Sequence, residues 1–592
     1  MMFPRLIDNQ RGVALITVVL VALAVSSVAV AASMMTMSGT LVRKYSERAS
    51  MANHAASSGV ELGLSALLAD GTLYPTTGYT TLEDSVPVLD AMGNPIPRVR
   101  RSIYIGPSSD PSRGSIVSEV WTRGGVRAVR RLEVAATSFA SFGQFMYHDH
   151  SGVEFTATDD QYGPIHSNGD INIGLPVGAD SAMFLGSVTV GGSIINPGRA
   201  VFVKGFTEGV SLDSLPTTSD LGALRNLAIS GGLLLPGLTG GAFAATTRVE
   251  FIAVDMDGNT ATTNDVEGFV RVYRNAADAR NLMAWQLWGN PIDTPNCGVW
   301  DGLTFKSFPN GGFASRGEAE NAIDFNQYRC YLGGDPVLNN GNFSATPPDG
   351  GMWLPWTGPA VPPGAGFNAR TDKAYLHPYT PGVNPNTTGV IYVDGDVAVS
   401  GVVRGKVTLV SKDDILIVDD LVQHTDPGAN ACGQDLLGLV AHDEVAIADN
   451  TLNTPQRYGG GGTGDSYHTM SATKDEYVHA IIMALDDFTV SNATGGPDAA
   501  DNLGLGAEPC EGVPWGRGCL YITGGLLRRH RKPDDFGTVG GKGYQLRLSY
   551  NGCVQQGAPP HFPATGSFKG QRIVEMEGAT FDPVTWFANY QS

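Results

Sequence analysis

The sequence predicts a mainly β protein fronted by one long N-terminal helix. Its body reads as a right-handed parallel β-helix interrupted by an inserted β-rich module. Three observations carry this reading. Among 592 residues, 76 are glycine and only 16% are charged, and β-branched residues and turn formers recur throughout, a mix that favours strands and tight turns. An uncharged apolar run, Val13 to Ala32, is followed by a stretch that keeps helical spacing. Two segments far apart, GPIHSNGDINI (163–173) and GVIYVDGDVAV (389–399), share one pattern of glycine, aspartate and aliphatic residues.

The N-terminal helix comes first. Residues 1–12 form a polar leader with Arg5 and Arg11, and the apolar run after Gly12 is long enough to span a bilayer, which takes about 20 residues. A cleaved secretory signal has a shorter apolar core of roughly 7–15 residues, although Ala29-Val30-Ala31 has the composition of such a cleavage site. Beyond it, Ala49, Ala52, Ala55, Ala56, Val60, Leu64 and Leu67 recur at helical spacing, so 13–69 reads as a membrane span continuing into an amphipathic stalk. Gly39, Gly59 and Gly63 weigh against an unbroken helix. If continuous, it would be roughly 85 Å long at 1.5 Å per residue.

Residues 70–145 follow as a small antiparallel sheet. RSIYIGP (101–107) is one strand, and SIVSEVWTRGGVRAVRRLEVAAT (115–137) alternates on both sides of a Gly124-Gly125 turn, a hairpin signal. The β-helix begins at 146–204 and resumes at 386–592, where a C-terminal cap closes the chain. Each shared motif precedes a further strand, SVTV (187–190) or KVTL (406–409), as stacked rungs would. Further rungs are expected at 436–449, 478–492 and 519–530. Between the two parts, 205–385 reads as the inserted module. It holds a short helix at 215–228, a hairpin at 248–274 with Asp257-Gly258 near its turn, and Trp285, Trp288, Trp300, Trp353 and Trp356.

The six cysteines, Cys297, Cys330, Cys432, Cys510, Cys519 and Cys553, all lie downstream of the apolar run and are even in number. Beyond a membrane they would be disulfide candidates, with connectivity open. No CxxC favours zinc. The net charge of −19 argues against nucleic acid as a partner. The basic runs Arg123 to Arg131 and Arg528 to Lys532 read as solvated faces.

QRGVALITVVLV, with its basic leader, glycine and apolar helix, resembles a class III prepilin signal. It is most similar to PilX-type minor pilins and to K-type minor pseudopilins of type II secretion. The resemblance implies cleavage by a prepilin peptidase after Gly12 and methylation of Val13. The helix would then be retained as membrane anchor and as the element that packs among other pilins. It also implies that the small sheet packs on the helix. The family's major pilins carry glutamate at the fifth mature position, where this chain has Thr17. A carboxylate in a bilayer is costly and is kept for a purpose, so its lack suits a minor rather than a repeated shaft subunit. The body, best in 389–422 and then in 559–563 and 566–578, resembles large PilX-related proteins with a β-helical domain.

The function expected is structural: priming, capping or decorating a type IV pilus or a type II-like pseudopilus. The chain would be anchored in the inner membrane before assembly, with its head periplasmic or extracellular. Two alternatives are an adhesin, binding a glycan or surface through the tryptophan-rich module, and a secreted β-helical carbohydrate-active enzyme. No catalytic residue, cofactor or metal is assigned. His148 and His150 lack a third ligand, and DMDGN (255–259) lacks the closing glutamate of a calcium loop. Asp394, Asp396, Asp413 and Asp414 are acidic corners that could face calcium. Asp170 and Asp396 are explained by turns without the carboxylate pair that glycosidic cleavage requires. Ser411 and Lys412 have no motif context.

Overall fold

The computed structural model describes residues 10–588. The exceptions are chiefly 280–296, 308–327, 331–350, 449–474, 491–508 and 532–543, with stretches of one to six residues elsewhere. The described chain is mainly β with one long N-terminal helix. It divides into two compact units, one made of 1–137 with 566–592 and the other of 138–565.

In the first unit, helix α1 (Gln10–Ala69) is continuous, and no proline interrupts it. Its three glycines do not break it. Two of them sit where the helix meets a sheet of four strands, β1 (Thr80–Leu89), β2 (Pro95–Pro107), β3 (Arg113–Thr122) and β4 (Arg127–Ser138). These pair antiparallel in sequence order, and the expected hairpin turn falls between Thr122 and Arg127, with Gly125 at positive φ. Alternation decides which side chains face the helix. Val99, Ile103, Ile105, Ile116 and Val120 meet Ala52, Ala55, Ala56, Val60 and Leu67, and all are buried.

The chain end completes this unit. Ala564–Met576 is hydrogen-bonded beside β4 as the fifth strand. Phe581 and Phe587, the latter from the short helix Pro583–Ala588, cover Tyr104, Val117 and Val129 on the face away from α1. The sequence reading placed 566–592 in a cap of the β-rich body; these residues belong with the N-terminal sheet instead. An edge strand carries no mark of its partner, so alternation alone could not have assigned it.

The second unit is built from two parallel ladders sharing a core of Val, Leu and Ile. In space, one runs Phe206–Thr207, Val188–Val190, Ile165–Ser167, Gln144–Asp149, Cys519–Arg531, Ile481–Ala484, Leu436–Ala441, Lys406–Ser411, Val390–Asp394 and Leu234–Pro236. The other includes Thr247–Asp255, Val397–Val403, Ile415–Gln423, Glu476–Val478, Cys519–Arg531 and Gln545–Tyr550. Cys519–Arg531 serves both. The stack does not follow chain order. Strands from 144–207 extend it past Cys519–Arg531, and the chain then restarts at the opposite end. The two matching motifs therefore share a ladder with five strands between them.

Residues 234–236 and 247–251, read from sequence as part of the inserted module, pair in parallel with Val390–Asp394 and Val397–Val403. The expected hairpin is present, as Thr247–Asp255 antiparallel to Val266–Arg274. The expected short helix is α2 (Thr218–Gly231). Its Thr217–Asp220 capping box and left-handed Gly232 set its ends, and Leu221, Leu224 and Ala228 cover Val390, Tyr392 and Val410.

The α1–sheet contact is close enough to exclude a side chain. A Cβ at Gly59 would lie 2.1 Å from Ser118 Oγ, whereas one at Gly39 would meet nothing within 4 Å. Gly59→Val should destabilise the first unit by about 1–3 kcal/mol through overpacking. Gly39→Ala should be neutral or raise helix stability by roughly 0.5–1 kcal/mol. Thermal melts in detergent check this, and equal effects at both sites would refute the packing argument.

Candidate functional site

Helix α1 changes environment partway along. From Ala49 onward it buries alanines and aliphatic residues against the sheet, while Val13 to Val42 leaves every described large hydrophobic side chain exposed. The exposed part is roughly 45 Å of helix at 1.5 Å per residue, against a hydrocarbon core of about 30 Å. Several of its hydroxyls are satisfied internally: Thr17, Ser27, Thr36, Ser38 and Thr40 each donate to a helix carbonyl three or four residues earlier. Such local bonds are how hydroxyls are accommodated in an apolar medium. Arg43, Lys44 and Arg48 close the apolar stretch, with Arg43 paired to Glu47 at 2.9 Å. By length and composition this helix can cross a membrane, and none of its most apolar window is buried. Gly12 lies in helical backbone, and Thr17 Oγ1 bonds the carbonyl of Val13 at 2.8 Å.

The predicted cysteines fall into place in part. Cys432 is bonded to Cys553, and Cys510 to Cys519. Cys297 and Cys330 stand opposite one another in an antiparallel strand pair. Of the tryptophans, Trp353 is only 2% exposed, with Tyr273 against its ring and the Arg271 guanidinium 4.8 Å from its centroid. Trp356 is partly buried beside His377 and donates to the carbonyl of Pro359. Trp300 lies in the strand Cys297–Trp300, whereas Trp285 and Trp288 are outside the described residues. His148 pairs in register with His530, and His150 is outside the described residues.

The acidic corners have a common role. Asp170 accepts the Ser193 N–H, Asp396 that of Asp414, Asp414 that of Glu444, Asp420 that of Tyr477 and Asp475 that of Cys519, at 2.6–3.1 Å. Each carboxylate thus satisfies a backbone donor of a neighbouring rung, Asp420 from within Ile415–Gln423 and the others from turns beside strand ends. Ser411 donates its hydroxyl to carbonyls of Gly395 and Asp414 in the same corner. Burial raises the carboxyls of Asp414, Asp420, Asp443 and Asp475 and pushes Asp396 up to about 6. Asp394 moves the other way, held down by a two-pronged bond from Arg225 of α2.

Among the described residues, two groups of three carboxylates have oxygens within 4.8 Å of one another: Asp396, Asp413, Asp414 and Asp255, Asp257, Asp265. The second group brackets the hairpin turn, where Asp255, Asp257 and Asp265 accept from Gly258, Asn259 and Asp257 respectively. A buried cluster of Arg248, Glu250 and Arg271 beneath Trp353 was not singled out from sequence. Its signal was the pair of charges two apart in RVEFIAV, which alternation puts on one face.

No protein-family model matches the chain, and no curated protein does. Among solved structures, the crystal structure of the competence-associated pilin ComZ from Thermus thermophilus aligns at 11% identity with a TM-score of 0.25. The alignment covers 89% of this chain and 96% of that one. A likeness that distant speaks for neither fold nor activity.

Asp396 carries a pH prediction. A carboxyl near 6 in the fold, against 3.8 ordinarily, binds its proton more tightly folded than unfolded. Stability is therefore lost as pH rises from about 4 to 6, by roughly 1–3 kcal/mol. In chelator, Asp396→Asn should raise Tm at pH 7 and leave it nearly unchanged at pH 4. A lower Tm at both would contradict this.

Proposed function

We propose that the chain is a pilin-like structural subunit, cleaved after Gly12 and retained by the helix that then begins at Val13. The carrying observation is α1 itself, a continuous helix whose second half is packed on a sheet and whose apolar first half is uncovered. That first half would lie in the cytoplasmic membrane before assembly and among the helices of other pilins afterwards. The two parallel ladders would form a right-handed parallel β-helix displayed outside that membrane, with the disulfides suited to that side. Its role would be architectural: priming, capping or decorating a type IV pilus or a type II-like pseudopilus. Thr17, bonded to its own helix, supports a minor position, since it offers no carboxylate to a neighbour's N terminus.

The mass of the mature N-terminal peptide from the native host tests this. The expected product begins at N-methylated Val13, and Gly12→Lys should accumulate as the uncut chain. A product beginning near Ala32, or an intact Met1 in the unaltered protein, would overturn the reading.

A further inference from the structure

The hairpin between β1 and β2 offers apolar side chains to solvent on an ordered scaffold. Leu89 is 57% exposed and Met92 88% exposed. The tip is fixed: Asp90 Oδ1 accepts the N–H groups of Met92 and Asn94, the Asp90 N–H meets the Asn94 carbonyl, and Gly93 takes positive φ. Met92 is thus held outward by a closed turn, at a cost in apolar exposure that nothing within the first unit relieves.

The direction of the hairpin is set by its packing on α1. Ile96 and Val99 of β2 cluster with Ala49, Ala52 and Ala56, whereas Ile103 and Ile105 cluster with Val60 and Leu67. The tip therefore points toward the apolar half of the helix. From Ile96 to Asn94 the chain rises about 7 Å at about 3.3 Å per residue, and the tight turn brings Met92 to roughly 10 Å. The same distance along α1 is about seven residues at 1.5 Å each, from Ala49 to Val42. Met92 reaches the level where the apolar stretch ends.

That level is basic in a chain of net charge −19. Arg43 and Lys44 of α1 are exposed there and Arg48 follows just beyond, whereas Arg98 and Arg100 of β2 lie further along the stalk, between the levels of Ala49 and Gly59. The nearby acids are engaged, Glu47 with Arg43 and Asp90 with the turn. Apolar side chains level with cations match a bilayer surface bearing anionic headgroups.

We propose that the β1–β2 tip seats in the headgroup layer of the membrane that α1 enters, Leu89 and Met92 dipping in while Arg43 and Lys44 at the same level meet lipid phosphates. This rests on the membrane-anchor reading and adds a second contact, which would fix the tilt and rotation of the first unit on the bilayer.

The test uses the full-length chain, in which no described cysteine is free. Single variants Met92→Cys, Met37→Cys and Leu62→Cys carry an environment-sensitive fluorophore and are placed in phosphatidylcholine vesicles with or without phosphatidylglycerol. The expected result is a blue shift at 37 and 92 but not at 62. The shift at 92 should be larger with phosphatidylglycerol and reduced by Arg43→Glu with Lys44→Glu. A water-like probe at 37 would sink the anchor reading itself. A buried probe at 37 with 92 behaving like 62 would sink only the hairpin proposal. A shift at 92 that ignores lipid charge would overturn the role of Arg43 and Lys44. A shift at 92 that follows protein concentration without vesicles would assign the tip to a second copy and overturn the proposal.

Discussion

Everything in the first unit depends on α1 satisfying its own backbone for sixty residues. A helix closes its hydrogen bonds within itself, so it needs no polar partner when it leaves the sheet. The same element can then pack on protein over one half and on lipid or other helices over the other. A strand could not make that passage, because its open edge would carry unpaired N–H and C=O groups into the apolar medium. Side-chain choice divides the halves. Small residues in the stalk let the sheet approach, Gly59 most closely, and long aliphatic residues in the leading half present area to whatever surrounds it.

The second unit obeys a related rule. Parallel ladders satisfy the backbone along each strand but leave donors at the corners where the chain turns. Aspartates at those corners take up the donors, rung after rung, and burial, with their crowding second to it, raises their proton affinity. The recurring Gly-Asp pattern is thus explained by backbone satisfaction. Where a corner aspartate meets an arginine instead, as Asp394 meets Arg225, it ties a covering helix to the ladder.

Local pattern made much of this legible. The apolar run, the alanine-rich stalk, the hairpins at 115–137 and 248–274 and the helix near 218–231 each follow from residue spacing alone. Partner choice over long range did not. Ala564–Met576 lies some four hundred residues along the chain from β4, and nothing in its alternation names that neighbour. The matching motifs at 163 and 389 announced a shared ladder but not its order, because similar rungs fit many places in a stack. Tryptophan enrichment was ambiguous for the same reason: Trp353 and Trp356 pack inward, and composition does not separate a core aromatic from a surface one. The tip at Met92 had no sequence signal beyond an Asp-Ala-Met-Gly-Asn turn; its meaning comes from the direction in which β2 lies on α1.

The central claim is that the leading half of α1 belongs to the surroundings and not to the fold of either unit. The most direct test is a chain beginning at Arg43, purified without detergent and compared with the full-length protein. The account predicts a monomer that keeps its β-sheet content, its disulfides and the amide-exchange protection of β2 and β3, while membrane association is lost. A shortened chain that aggregates or loses protection in β2 and β3 would show that residues 13–42 are part of the fold, and would contradict it.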